Sequence, residues 1–271
     1  MRKQIYNIYK PIGLTPLQAL EAFRKQAKLP AGLKMSYAGR LDPLAEGVLI
    51  LICGDRLKQK DKFLNLNKTY KAKILFGVST DTFDLMGKIL KVDGKLPETQ
   101  QIKKELKNLI GNIILPIPPY SSVPINGKPS FMHARAGELS LKNIQSREMK
   151  ILKITFKGYK TISAQAVLKS AQQKIDKVSG DFRQKEILKL WTKHLSPGFR
   201  FKDRNDTCSK FVNFKILNLE VSCASGTYIR SIAQSLGERL SCPALLYHLT
   251  RQKVGPYNIK SSIKLKNTAS I

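Results

Sequence analysis

Two side chains in this sequence have the type and setting that acid, base or nucleophilic chemistry requires. Asp42 stands in S36-Y-A-G-R-L-D-P-L-A-E-G-V-L-I-L-I52, a loop bounded by Gly39 and Pro43 that runs into a β-branched, Leu-rich stretch reading as a buried strand. A carboxylate there either hydrogen-bonds its own turn, as Asx side chains often do, or meets a substrate as an anion. Arg230 stands in G226-T-Y-I-R230, in the first turn of a helix read over Tyr228 to Leu240. The positive dipole end disfavours a cation there by ~0.3–1 kcal/mol, so the guanidinium is either solvated or set against a carboxylate or phosphate. Gly226 supplies the bend and Thr227 is the expected N-cap. In T80-D-T-F-D-L-M-G87 two carboxylates, Asp81 and Asp84, lie three apart; with no His or third acid nearby, they read first as a turn between strands. Tyr70 is either a core ring or a surface on which a base can stack.

The elements that must hold these groups are legible in part. Ile5 to Tyr9 reads as a strand ending at Pro11. Thr15-Pro16-Leu17-Gln18 is a helix start with a Thr cap, Pro at the first helical position and Gln three residues after the cap. Leu17, Leu20, Phe23 and Ala27 are the expected inward face of that helix. Lys68 to Gly77 alternates, with Tyr70, Ala72, Ile74 and Phe76 on one side and Lys71 and Lys73 on the other. Ile102, Leu106, Leu109 and Ile110 mark a helix that Gly111 can end. Pro116 to Pro129 is a long Pro-, Ser- and Gly-rich loop of the kind that often binds. Arg147 to Tyr159 and Phe211 to Cys223 read as strands, and Ile229, Ile232, Ala233 and Leu236 are the inward face of the Tyr228 helix. Strands and helices mix without regular βαβ alternation, which predicts an α+β fold. Residues from about 161 to 210 are lysine-rich and helix-leaning, contain the only tryptophan, Trp191, and read as an insertion within a single domain spanning 1–271.

Charge narrows the partner. Lys and Arg number 48 against 19 Asp and Glu, a formal net charge of +29. Such an excess repels itself unless a polyanion shares the surface, and phosphate neutralisation makes nucleic acid the expected partner. No long apolar run or basic amphipathic terminus favours a membrane. The N-terminus shows no apolar signal segment. The four cysteines (Cys53, Cys208, Cys223 and Cys242) form no C-x-x-C pair, which suits reduced thiols in a cytoplasmic protein. The scattered His133, His194 and His248 suggest no metal site, and no Gly-rich phosphate loop calls for a nucleotide cofactor.

Taken together, the motifs resemble the TruB family of pseudouridine synthases. The resemblance runs in order through N7-I-Y-K-P-I-G-L-T15, A38-G-R-L-D-P-L-A-E-G47, K68-T-Y-K-A72, G77-V-S-T-D-T-F-D-L-M-G87, K128-P-S-F-M-H-A-R-A-G137 and G226-T-Y-I-R-S-I-A233. It implies a mixed, largely antiparallel sheet flanked by helices and loops, no cofactor, and conversion of uridine to pseudouridine in the T-arm of tRNA, at position 55. It further implies that Asp42 is the catalytic aspartate, Tyr70 the ring stacked on the flipped base and Arg230 the partner of the aspartate. Lys10, Tyr37, Arg40, Asp81, Asp84, Lys128, Arg135 and Tyr228 fall on substrate-binding or site-bordering segments. Tyr37 stands where the family usually has His, and Phe131 where its closing loop usually has Tyr. Arg40-Leu41-Asp42 also matches the signature of synthases that modify ribosomal RNA, whereas G-T-Y-I-R and T-D-T-F-D favour the tRNA enzymes. The lysine-rich insertion has no counterpart in the common pattern, and no C-terminal PUA domain is expected after Gly255–Asn258. A monomer with tRNA as its partner, and no protein partner, is the expected state.

Overall fold

The structure, a computed structural model, describes residues 4–93, 96–139, 144–196, 201–202, 208–209 and 213–266. Strand β1 (Ile5–Lys10) leads into helix α1 (Pro16–Gln26), which opens on the capping box read from the sequence. The Thr15 hydroxyl accepts from the Gln18 N–H, and the Gln18 side chain accepts from the Thr15 N–H. The buried face of α1 is Pro16, Ala19, Leu20, Ala22 and Phe23. Leu17, expected on that face, is 59% exposed. It sits at the edge of the stripe, where it lines the cleft described below. Ala27, beyond the last turn, is exposed as well.

The chain continues through β2 (Met35–Ala38), β3 (Ala45–Cys53), α2 (Lys60–Leu64), β4 (Lys68–Phe76), and the short hairpin of β5 (Val78–Thr80) and β6 (Ile89–Val92). Helix α3 (Thr99–Asn108) ends before β7 (Gly111–Pro116); Ile110, expected with its apolar face, is 45% exposed. The long loop that follows carries a small hairpin, β8 (Pro124–Ile125) and β9 (Lys128–Pro129), and then α4 (Ser130–Arg135). Strand β10 (Ser146–Ser163) is followed by α5 (Ala164–Ile175), α6 (Gln184–Leu195), β11 (Phe201–Lys202) and β12 (Cys208–Ser209). Strand β13 (Asn213–Cys223), α7 (Ile229–Arg239), β14 (Ala244–Val254), β15 (Tyr257–Asn258) and β16 (Ile263–Lys264) complete it.

One ten-stranded sheet organises these elements in the order β16-β1-β3-β14-β4-β13-β10-β7, with β2 also on β3 and β15 also on β14. Among the described residues only β1 with β16 and β3 with β14 pair as parallel strands, so the sheet is mixed and largely antiparallel and the fold is α+β. Strand parity then splits the core. Ile74 and Phe76 of β4 and Leu217, Leu219 and Val221 of β13 pack with α3 and α7. Leu75 of β4 and Phe214 and Ile216 of β13 point the other way, into a second cluster with α5 and α6.

That second cluster changes the weight of the lysine-rich stretch. Its helices bury Val167, Ala171, Ile175, Ile187, Trp191 and Leu195 against the sheet and the β5–β6 hairpin. The Trp191 indole N–H donates to the Gly87 carbonyl at 3.1 Å. At ~1.5–3 kcal/mol per fully buried large apolar side chain, these helices are part of the core. Residues 197–200, 203–207 and 210 of the stretch, Arg200 and Arg204 among them, lie outside the described residues.

Candidate functional site

Glycine at position 47 decides how close β14 comes to β3. Gly47 has φ +111°, and a Cβ added there would lie 2.3 Å from the Arg251 carbonyl oxygen. The tight parallel pairing of β3 and β14 puts Arg251, 1% exposed, under the loop that carries Asp42. Its guanidinium donates to three carbonyls of that region: Nε to Val48 (2.7 Å), Nη1 to Arg40 (3.0 Å) and Nη2 to Gly39 (3.2 Å). A five-donor fork fixed on three backbone oxygens is a geometry that lysine cannot reproduce. The turn itself is closed by the main chain, with the Ala45 N–H donating to the Asp42 carbonyl at 2.9 Å. The Asp42 carboxylate is turned to Arg230.

Arg230 enters from the second residue of α7, and its side chain is nearly fully buried. Its Nε lies 2.9 Å from Asp42 Oδ2 and 3.7 Å from Asp84 Oδ2. Both contacts are ion pairs, the one to Asp42 the shorter. Nη1 donates to the Thr82 carbonyl (3.0 Å) and Nη2 to the Tyr120 carbonyl (3.2 Å). Burial works against the charge of Arg230, but Asp42 and Asp84 outweigh it and raise its pKa above the ordinary guanidinium value. The helix begins differently from the sequence reading. Tyr228 is the N-cap, without a side-chain cap, and Thr227 instead donates to the Lys150 carbonyl at 3.4 Å.

Behind Arg230, the Asp81–Asp84 turn is held by its own side chains. Asp84 Oδ1 accepts from the Thr82 hydroxyl (2.7 Å) and the Met86 N–H (2.8 Å), leaving Oδ2 toward Arg230. Burial, the largest influence, pushes the Asp84 carboxyl up to about 6 against the pull of Arg230, with the Asp42 charge adding to the rise. Lys10 is fully buried, donating from Nζ to the Pro11 and Leu14 carbonyls at 2.9 and 2.7 Å. Burial pushes it down to about 7, opposed by Asp42 and assisted by Arg251.

In front of the Asp42–Arg230 pair lies a cavity of about 700 Å³. The Asp42 side chain is 40% exposed and so remains open to it. Of the residues singled out from the sequence, Asp42, Tyr70, Arg230, Tyr37, Arg40, Arg135 and Tyr228 share this lining. The Tyr70 ring is buried, its phenol pKa raised chiefly by that burial. Tyr228 carries the Arg147 guanidinium 5.2 Å above its ring. Lys10, Asp81 and Asp84 lie outside the lining, with Asp84 reaching the site through Arg230. Lys128 is exposed on the β8–β9 hairpin and also lies outside it. Sequence reasoning missed Arg251, which stands among other polar residues in the second half of β14 (ALLYHLTRQKV) with nothing local to single it out. It missed Tyr120 and Phe182 too, which line the same cavity from loops.

The site can present an anionic carboxylate, backed by a guanidinium, to a ligand seated beside an aromatic ring. Among the described residues no group of three His, Cys, Asp or Glu stands where it could hold a metal ion, and no helix is long and apolar enough to cross a membrane.

Comparison with known proteins gives the same direction. Residues 24–176 match the family model described as TruB family pseudouridylate synthase (N terminal domain). The tRNA pseudouridine synthase B of Clostridium acetobutylicum is 30% identical over 97% of this chain and 71% of its own length. That of Caldicellulosiruptor saccharolyticus is 29% identical over 96% of this chain and 70% of its own length. The tRNA pseudouridine synthase 4 of Schizosaccharomyces pombe is 26% identical over 94% and 72%. Among solved structures, a Cbf5-Nop10-Gar1 complex matches with a TM-score of 0.55 and 18% identity, over 97% of this chain and 52% of that one. An H/ACA RNP bound to a substrate RNA containing 2'-deoxyuridine matches at 0.54 and 17%, over 97% and 51%. This chain therefore spans about half the length of those solved chains, and the likeness to them is one of fold.

Proposed function

The chain belongs to the TruB family of pseudouridylate synthases, and we propose that it makes pseudouridine in the T-arm of tRNA, at position 55, with Asp42 as the catalytic group. Formation of pseudouridine in tRNA is its activity. The single observation that carries the assignment to Asp42 is its half-open carboxylate, 2.9 Å from a buried guanidinium and in one cavity with Tyr70. In the reaction the N1–C1′ bond of uridine breaks, the base turns within the cleft, and a C5–C1′ bond forms. The C5 proton leaves and N1 regains one, so the product is an isomer and no redox partner is consumed. Asp42 has to act on the nucleotide as an anion, and Arg230 supplies the counter-charge. A uridine in a folded loop is reached only by extrusion, and the Tyr70 ring can replace part of the lost stacking. Tyr37, Arg40, Arg135 and Tyr228 surround that base and its neighbours, while Asp81, Asp84 and Arg251 hold the groups that touch it and Lys10 fixes the Pro11–Leu14 turn. Lys128 is placed to meet RNA outside the cleft.

Further readings rest on the same ground. We take the chain as one catalytic domain, α5 and α6 included, acting as a cytoplasmic monomer. An isolated T-arm hairpin should be a substrate, because unstacked loop bases and helix shape suffice for this kind of recognition. The test is to incubate the protein with a T-arm hairpin and map pseudouridine by nucleotide. Modification at the residue corresponding to position 55 supports the reading; modification of ribosomal RNA alone would replace it.

A further inference from the structure

The connector between α5 and α6, residues 176–183, reaches the Gly13 turn beside the Asp42 loop and the Asp81 and Tyr120 loops around Arg230. The Ser179 N–H donates to the Gly13 carbonyl (3.2 Å), and the Gly13 N–H donates to the carbonyl of Pro43, the residue after Asp42 (2.9 Å). Contact at Gly13 is so close that an added Cβ would lie 2.2 Å from the Lys177 carbonyl oxygen. Phe182 lines the catalytic cavity, and the Arg135 guanidinium, 5.7 Å from its ring, donates to the Asp181 carbonyl at 2.8 Å. Gln184 ties the connector to itself, donating to the Val178 and Gly180 carbonyls and accepting from the Phe182 N–H.

Arg183 makes the contacts that matter most for the chemistry. Its Nη1 donates to Asp81 Oδ2 at 3.1 Å, and its guanidinium stacks 4.3 Å from the centroid of Tyr120. Asp81 immediately precedes Thr82, and the carbonyls of Thr82 and Tyr120 are the two that hold the terminal nitrogens of Arg230. One side chain thus joins the two loops between which Arg230 is suspended. It does so from a left-handed backbone, φ +62°, that a non-glycine residue adopts at a cost.

We propose that Arg183 is a positioning residue for pseudouridine formation: acting through Asp81 and Tyr120, it sets Arg230 against Asp42, so the α5–α6 connector is a working wall of the catalytic cleft. This rests on the reading of that cleft as the uridine site. The mechanism is geometric. A misplacement of ~1 Å at the reacting groups costs on the order of a hundredfold in rate, and Arg183 adds a charged clamp to the direct contact between Asp81 and Tyr120.

The test uses the full chain with Arg183→Ala, Arg183→Gly and Arg183→Lys. Glycine relaxes the left-handed backbone while removing the side chain, so it separates positioning from folding. Trp191, the only tryptophan, is buried in α6 and reports by its emission whether the helical pair stays docked. With emission unchanged, Ala and Gly should lower kcat on tRNA by about tenfold or more with KM within about threefold, and Lys should restore much of kcat. Hydrogen exchange in Thr80–Met86 and around Tyr120 should speed up in the Ala and Gly proteins while α5 and α6 keep their protection. An unchanged kcat, a loss confined to KM, or a loss that tracks the undocking of Trp191 would overturn the proposal. Exchange reads the positioning without turnover: unchanged exchange overturns it on any substrate, whereas an inactive wild type with altered exchange in the variants counts against the uridine reading alone.

Discussion

Replacing Arg230 by lysine keeps one positive charge in the site and removes the fork. The arginine makes three engagements at once: the ion pair with Asp42 at 2.9 Å and donations to the Thr82 and Tyr120 carbonyls. A lysine ammonium is a point donor on a flexible stem. If it stays with Asp42, two carbonyls lose their donor; if it moves to them, Asp42 loses its counter-charge. A buried acceptor left unpaired costs ~1–3 kcal/mol, so Arg230→Lys should lose ~2–5 kcal/mol of stability. For a chain of 271 residues that is a fall of roughly 4–10 °C in Tm, at ~2 °C per kcal/mol. Catalysis should suffer through the second route, because preorganised electrostatic partners at reacting groups are worth ~10²–10³ in rate. The assay is tritium release from tRNA carrying [5-³H]uridine, since C5 loses its hydrogen when the new bond forms, with filter binding run in parallel. The expected outcome is kcat reduced at least ~100-fold with RNA affinity within about threefold. A lysine variant within about threefold of wild type in kcat would show that the fork does nothing a single charge cannot.

Two further outcomes follow from buried groups near the pair. An ordinary carboxyl titrates near 3.8, whereas buried Asp84 titrates at about 6. The folded state therefore binds more protons between these values, and its stability falls as pH rises through that window, by ~3 kcal/mol at 1.36 kcal/mol per pH unit. Asp84→Asn keeps the oxygen that Thr82 and Met86 use, so denaturant melts should show the variant gaining on wild type from pH 4 to pH 8; a constant difference would contradict this. Gly47→Ala should cost several kcal/mol, on the order of 3 or more, because strain at φ +111° adds to a clash with the Arg251 backbone. Thermal unfolding measures it, and a Tm within about 2 °C of wild type would show that β3 and β14 can separate freely.

Local chemistry explains which parts of this molecule could be read from its sequence. The capping box of α1, the alternation of β4 and the apolar face of α7 depend on residues within a few positions of one another, and each forms as expected. The pairing of Asp42 with Arg230 was legible only through the resemblance to a family, since nothing local joins two residues so far apart. Arg251 was invisible for the same reason: its role depends on β14 lying parallel to β3, a long-range register. Leu17 misled because an apolar side chain can serve a binding cleft as well as a core. The inward packing of the lysine-rich stretch was hidden in another way. Its lysines draw attention to the solvent face, while Trp191, Ile187 and Val167 on the inner face carry the packing and the connector reaches the site.

The central claim is that Asp42 does the chemistry in a cleft that is otherwise a binding site. Asp42→Asn keeps the size and shape of the side chain but removes the anion that can attack or take a proton. Single-turnover tritium release from [5-³H]uridine tRNA, with affinity measured on the same preparation, tests the claim most directly. The Asn protein should form no detectable product, with tRNA affinity within about threefold of wild type. Turnover near the wild-type rate would contradict it and leave the chemistry to another group in the cleft.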